Sequence, residues 1–322
     1  MFALYLLAAL LLLIPAIAYG CYRHAFYTPP RKPRDPDFID LPQGPVYQPF
    51  WEDMTRWTLE TRSLPQEAVS VTSFDGLTLT GKYFEFAPGA PMELMLHGYR
   101  GNAERDLSGG VQRAFALGRS VLVVDQRCSG NSQGNVISFG INERRDCLTW
   151  LDFVLRRFGP EQKIILTGIS MGAATVMMAA GETLPENVIG VLADCGYSSA
   201  KDIIIEVIRQ MGLPPKPCYP FVKLGARLFG RFDLEETSPV EALKKAKVPV
   251  IFFHGESDDF VPCFMSRACF DACASRKKLV TIPGAGHGLS FPKDPDTYLR
   301  ELWDFFGPEA SHPSCHRKTP TA

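Results

Sequence analysis

The sequence predicts an α/β fold, with a mostly parallel eight-stranded sheet, helices on both faces and a short helical lid. Three observations lead there. Short apolar runs of strand length alternate with helix-forming runs along most of the chain. Two alternating segments flank Asp75-Gly76, which marks a hairpin. Gly168-Ile169-Ser170-Met171-Gly172 falls between an apolar run and a helix-forming run, so the chain must turn sharply there. Glycine on both sides of the serine leaves room for close approach of strand and helix.

From the N-terminus, residues 2–19 carry no charge and are dense in Leu, Ala and Ile. As a helix this run reaches roughly 27 Å, close to the ~30 Å hydrocarbon core of a bilayer. Arg23, Arg31, Lys32 and Arg34 follow it and no basic residue precedes it. Residues 1–20 are therefore expected to form a single-pass membrane anchor, with the rest of the chain in the cytoplasm. A cleaved signal peptide and a secreted protein are the alternative: Ala16-Ile17-Ala18 after Pro15 resembles a cleavage site, although a basic n-region is missing. Residues 21–66 read as a tether, rich in Pro, Asp and basic residues over 28–49, and then a short amphipathic helix over 50–62 with Trp51, Met54, Trp57 and Leu59. That helix is expected to pack on the domain, the membrane surface being its other possible partner.

The main domain is expected over 67–308. After the hairpin, strands are predicted at 93–96, 120–124, 163–167, 188–193, 248–253 and 278–282. Helices are predicted at 103–117, 143–157, 171–180, 265–274 and 296–306. No internal repeat and no dinucleotide-type Gly-x-Gly-x-x-Gly is present. The long stretch between Ala193 and Val248 reads as a lid over about 197–240: helical over 203–211, broken by Pro214-Pro215-Lys216-Pro217-Cys218-Tyr219-Pro220, and helical again over 221–229. Its Ile203, Ile204, Phe221, Leu224 and Leu228 fit an acyl-chain pocket and ordinary lid packing equally well. Residues 309–322 are polar and expected to be disordered.

The chemistry-bearing residues fall at the ends of these strands. A serine in a tight strand-to-helix turn stands above the sheet edge, at the positive end of the following helix, where a developing oxyanion is favoured. Ser170 is weak as a nucleophile until a base takes its proton, and the base needs an acid to fix its tautomer. Asp258 follows the apolar run Val250-Ile251-Phe252-Phe253, and His287 follows Leu279-Val280-Thr281-Ile282 and a Gly-rich loop. Open α/β sheets gather such residues at the carboxyl ends of their strands. Asp194 and Asp259 are the rivals for the acid, with Asp259 the better candidate to cap the next helix. The apolar run ending in His97-Gly98 puts the amide of Tyr99 in position to pair with that of Met171 as an oxyanion hole. Asp125 and Arg127 are expected to form a structural pair, and His97 and His254 to satisfy buried hydrogen bonds without moving protons.

Five pieces now stand in order: His97-Gly98, the run from Asp125 to Ser132, Gly168 to Gly172, His254 to Asp258 with Val261-Pro262, and Gly286-His287. Together they resemble the α/β-hydrolase superfamily, in its serine-aminopeptidase and monoacylglycerol-lipase-like branch, with an N-terminal anchor added. The resemblance spans residues 70–306. It departs at Cys128, where related chains often carry Gly after the Asp-x-Arg. It implies a serine hydrolase working through an acyl-enzyme on a small acyl or lipid-like substrate, with no metal or organic cofactor. A carboxylic ester is the first expectation. An amide hydrolase of aminopeptidase type is the runner-up and would need a carboxylate for a free amine, with Asp259 and Glu206 as candidates. A non-catalytic membrane-tethered scaffold is the reading from a different class.

Composition agrees with one large core. The 322 residues are 46% hydrophobic and 21% charged with a net charge of −1, which offers nothing to attract nucleic acid. The nine cysteines are odd in number and scattered, so they read as reduced thiols. Cys263, Cys269 and Cys273 lack the ligand spacing and paired histidines of a zinc site.

Overall fold

The computed structural model describes residues 2–29, 35 and 37–312, with the side chains of residues 2–11 and 309 left aside. In chain order the helices and strands are α1 (Phe2–Ala25), α2 (Trp51–Ser63), β1 (Glu67–Thr72), β2 (Thr78–Phe84), β3 (Met92–Leu96), α3 (Ala103–Ala116), β4 (Ser120–Asp125) and α4 (Glu143–Phe158). There follow β5 (Ile164–Ile169), α5 (Met171–Ala179), β6 (Val188–Asp194), α6 (Ala200–Gln210), α7 (Pro215–Gly225) and α8 (Pro239–Leu243). The chain ends with β7 (Val250–Gly255), α9 (Phe264–Ala272), β8 (Lys277–Ile282), α10 (Ser290–Lys293) and α11 (Pro295–Phe306).

The eight strands form one sheet in the order β1-β2-β4-β3-β5-β6-β7-β8. β2 pairs antiparallel with both β1 and β4, and every other pairing is parallel. Period-two alternation divides the core. Ile164 and Leu166 of β5, with Val250 and Phe252 of β7, join the large cluster that includes α4 and α5. Ile165, Ile251 and Phe253 face the other way, onto Tyr298, Leu302 and Phe306 of α11. Both faces of the central strands are covered, which is why they read as continuous apolar runs.

Glu93 interrupts that pattern inside the fully buried strand β3. A lone carboxylate there would be expensive, and it persists because Arg113 and Arg119 pair with it while Thr167 donates a hydroxyl at 2.9 Å. Burial alone would push its pKa up, but the two guanidinium groups hold it below the ordinary value.

The first fifty residues depart from the sequence reading, whereas the helix expected over 50–62 stands as α2 against the domain, with Trp57 on Phe291. α1 does not end near residue 20 but runs through Ala25, and Ala18, Tyr22 and Phe26 are buried on one face at i, i+4, i+8 spacing. Phe26 meets Phe139 and Phe232 edge-on, and a Cβ at Gly225 of α7 would meet the carbonyl of Ala18 at 2.4 Å, so the two helices cross closely. A uniform apolar run conceals which of its faces packs on protein. Among the described residues no helix is long and apolar enough to cross a membrane.

The segment read as a free tether instead lies against the domain where it is described. Tyr27 bridges to Val136, Asn102 donates to Asp40, Arg62 donates to the carbonyl of Phe38, and Trp51 donates to that of Pro42. Residues 30–34 and 36 lie outside the described residues. At the other end, residues 309–312, read as the start of a disordered tail, stay on the domain: Arg119 donates to Ala310 and the amide of His312 to Gly118. Residues 313–322 lie outside the described part.

The lid also differs in one respect. The lid is broken as expected, between Gln210 and Pro215, but the rest of the proline run opens α7, with Pro215 in the first turn, where a missing N–H costs nothing. α7 then runs into a π-helical turn, Ala226–Gly230. The eight described cysteines are free thiols, and Cys315 lies outside the described residues.

Candidate active site

β5 delivers Ser170 into a turn that only small neighbours permit. Ser170 adopts φ 55°, ψ −117°, a sparsely populated conformation for a residue with a side chain. A Cβ on Gly168 would meet the carbonyl carbon of Gly172 at 2.2 Å, and one on Gly172 would meet the carbonyl oxygen of Leu96 at 2.1 Å. The amide of Ser170 is tied to the carbonyl of Asp194 at 2.8 Å, which anchors the turn to the end of β6.

The loop after β8 brings His287 to this serine. Its Nε2 lies 2.9 Å from Ser170 Oγ, and its Nδ1 lies 2.8 Å from Asp258 Oδ2. The remaining oxygen of Asp258 accepts the amides of Phe260 and Val261 at 3.0 and 2.8 Å. Burial alone would push the Asp258 carboxyl up, but hydrogen bonds from His254 and His287 hold it at about 2. A carboxylate so held stays ionised and keeps a proton on His287 Nδ1, leaving Nε2 to face the hydroxyl. The ring of Phe260 meets His287 edge-on at 5.1 Å between centroids.

The structure thus brings together Ser170, Asp258 and His287. It also separates the rivals. Asp194 is buried with both oxygens engaged, one by Ser290 and the other by the Tyr298 hydroxyl. Asp259 does not cap α9, whose N-cap is Cys263 without a side-chain bond, and lies at the wall of the cavity beside His287. Glu206 pairs with Arg209 on its own helix and lines neither cavity that reaches Ser170.

His97 and His254 are held in single tautomers. A carbonyl only accepts, so His97 Nδ1 donates to Gly98 while its Nε2 accepts the amide of Gln126, and His254 Nε2 donates to Val261. Burial keeps His97 below its usual range. The expected Asp125–Arg127 pair does not form. Arg127 pairs with Asp146 and Asp75, whereas Asp125 accepts the amides of Ala103 and Asn131.

Tyr99 and Met171 flank the serine as expected of the loop and the helix start. Tyr99 lines both cavities at Ser170, and Met171 opens α5, whose first-turn amides lack intrahelical acceptors. A residue missed in the sequence supports this loop: Asp106, in the first turn of α3, accepts the amide of Gly98 at 2.9 Å and is itself held by Arg105 at 2.7 Å. The signal for it was present, since Asp106 follows the Gly98-Tyr99-Arg100-Gly101-Asn102 loop at helix-start spacing. Cys195, Asp258 and His287 place a thiol, a carboxylate and an imidazole within 4.8 Å of one another. They fit a metal poorly: burial keeps the thiol protonated, and both nitrogens of His287 already face Asp258 and Ser170.

Two cavities of about 450 Å³ each meet at Ser170. One is lined by His287 together with Tyr47, Trp57, Arg105 and Asp259. The other is walled by α1 and the lid helices.

Comparison with known proteins bears on the fold and family. Residues 94–301, well over half of the chain, match the model of the alpha/beta hydrolase family. The chain is 27% identical over 190 residues to the uncharacterized protein YqkD of Bacillus subtilis, covering 59% of this chain and 62% of that protein's length. It is 25% identical to the protein bem46 of Schizosaccharomyces pombe, over 76% and 77% of the two chains. Among solved structures it resembles the Pyrococcus furiosus esterase Pf2001, with a TM-score of 0.64 at 20% identity over 77% of this chain and 93% of the other. The Butyrivibrio proteoclasticus protein Est1E with bound ferulic acid superposes with a TM-score of 0.55 at 20% identity, over 74% and 96%. The sheet order, the strained serine turn and the family match lead to one conclusion: the chain belongs to the alpha/beta hydrolase family.

Proposed function

We propose that the protein is a serine hydrolase that cleaves carboxylic esters through an acyl-enzyme. The observation that carries this reading is the chain of contacts Ser170 Oγ–His287 Nε2–Asp258, at 2.9 and 2.8 Å. Ser170 Oγ attacks the acyl carbon as His287 Nε2 takes its proton. The amides of Tyr99 and Met171 receive the developing oxyanion, each such donor typically contributing about 3 kcal/mol. His287 then protonates the leaving oxygen and the alcohol departs. Water, deprotonated by His287, attacks the ester on Ser170 and releases the acid. No step calls on a metal or an organic cofactor.

The runner-up is an amide hydrolase. Asp259 beside His287 offers a carboxylate to a free amine, and an aminoacyl-amide series run beside the esters separates the two. Hydrolysis of a p-nitrophenyl ester by native protein and by Ser170→Ala tests the reading. Activity is expected to fall by at least about 10³-fold in the variant. Equal rates in the two proteins would refute it, and a folded protein without activity would favour the scaffold.

We further place the enzyme at a bilayer, on its cytoplasmic side, through the N-terminal segment. Support comes from the uncharged run over residues 2–19 and from Leu12, Leu13 and Ile14, which stand 76%, 55% and 41% exposed on α1. Carbonate-washed membranes from cells making the full chain should retain the protein. Recovery in the soluble fraction or in the medium would refute this placement.

A further inference from the structure

We propose that the apolar cavity between α1 and the lid helices α6 and α7 receives the acyl chain of the substrate, and that the His287-lined cavity receives the leaving alcohol. The proposal rests on the serine-hydrolase reading and deepens it. Both cavities reach Ser170, but only one of them is lined by His287. The leaving oxygen must take its proton from His287 Nε2, so the alcohol departs on that side. The acyl group, fixed to Ser170 Oγ, is left with the opposite cavity.

The character of that cavity selects a hydrocarbon. Ile17, Gly20 and Cys21 of α1 face Ile204 and Val207 of α6 and Val222 of α7 across it. Apart from Ser170 and His24, which is exposed, its main polar side chains already bond backbone carbonyls. The Tyr99 hydroxyl donates to the carbonyl of Ala25 at 2.7 Å, the Tyr197 hydroxyl to that of Phe139 at 3.0 Å, and Arg100 to that of His24 at 2.6 Å. A polar ligand would find little to bond there, whereas an alkyl chain needs only apolar walls. The size, about 450 Å³, lies within the range of small-molecule sites.

α1 is a fixed wall. Tyr99 and Arg100, in the loop beside Ser170, hold the carbonyls that end this helix. At Gly20 the wall carries no side chain, and a Cβ built there meets no atom within 4 Å. Glycine is poorly suited to mid-helix positions, so its presence at the rim is matched by the room it leaves. A large side chain at Gly20, or at Val207 across the cavity, would narrow the path of an acyl chain.

The test is the ratio of kcat/KM for p-nitrophenyl octanoate over p-nitrophenyl acetate, measured on the full chain and on Gly20→Phe and Val207→Phe. A ratio cancels any loss of active protein. Native protein is expected to favour octanoate by at least tenfold, and each variant to lower the ratio by at least tenfold. Octyl acetate against ethyl acetate, which lengthens the alcohol alone, should keep its ratio within about twofold in the variants. A native preference for acetate, or variants that change the alcohol series and not the acyl series, would overturn the assignment. Native protein that cleaves none of these esters and takes no fluorophosphonate would instead bring down the serine-hydrolase reading beneath it.

Discussion

The two cavities that meet at Ser170 have unlike walls. The His287 side carries Arg105, Asp106 and Asp259, and beneath it lie Arg113 and Thr167, which both contact the buried Glu93. The α1 side carries mostly aliphatic and aromatic groups, and the hydroxyls of Tyr99 and Tyr197 there are bound to backbone carbonyls. One side is therefore equipped to move protons and hold charge, the other to exclude water. On the proposed reading, the difference lets a single nucleophile sort the two halves of an ester: proton delivery fixes one direction and apolar burial the other.

The largest effect should come from the acid on the charged side. Asp258→Asn keeps the shape of the loop but no longer fixes the proton on His287 Nδ1, and kcat is expected to drop on the order of 10⁴-fold. The octanoate-to-acetate ratio should survive, because Asn keeps the oxygen that accepts the amides of Phe260 and Val261, which line the α1-side cavity. A ratio that collapsed together with kcat would break the division between the cavities. The same residue gives a pH signature. The folded carboxyl, held at about 2, lies below its ordinary 3.8, so its stabilising contribution is complete above that ordinary value and is lost as pH falls through about 2. The gap in Tm between native protein and Asp258→Asn should thus close over that window.

A smaller effect, on stability alone, is expected beneath the charged side. Arg119→Ala leaves Glu93 with one of its two guanidinium partners inside β3, and breaking such a buried pair costs about 3–5 kcal/mol. Urea unfolding would measure it. A change below about 1 kcal/mol would mean that Arg113 suffices for the carboxylate. The smallest effect belongs to the apolar side. Tyr99→Phe keeps the backbone amide but loses the bond to Ala25, which is expected to cost about 1 kcal/mol and to loosen the α1 wall. Acyl-chain selectivity should soften with it, by a few-fold in the same ester ratio; an unchanged ratio would show that α1 is held without this bond.

What the sequence made legible follows the same boundary. Ser170 was readable because its turn is local: an apolar strand, two glycines and a helix lie within a dozen residues. Asp258 and His287 were readable because each ends an apolar strand of a parallel sheet, whose carboxyl ends converge. The α1 wall was not, since a run of Leu and Ala looks alike on every face, and only the crossing with Gly225 shows which side is buried. Arg127 shows the same limit. Its neighbour in sequence is Asp125, yet its partners are Asp146 and Asp75, chosen by the packing of α4 and the hairpin turn. Proline composition misled twice, in residues 37–49, which lie on the domain, and in α7, where the run after Pro214 is part of the next helix and not only a break before it.

The most direct test of the account is to treat the folded protein with a fluorophosphonate and map the adduct by mass spectrometry in native protein, Ser170→Ala and His287→Ala. One adduct on Ser170, absent in the serine variant and formed at least a hundredfold more slowly in the histidine variant, is the expected result. No adduct on native protein, or an adduct elsewhere that persists in Ser170→Ala, would contradict the account.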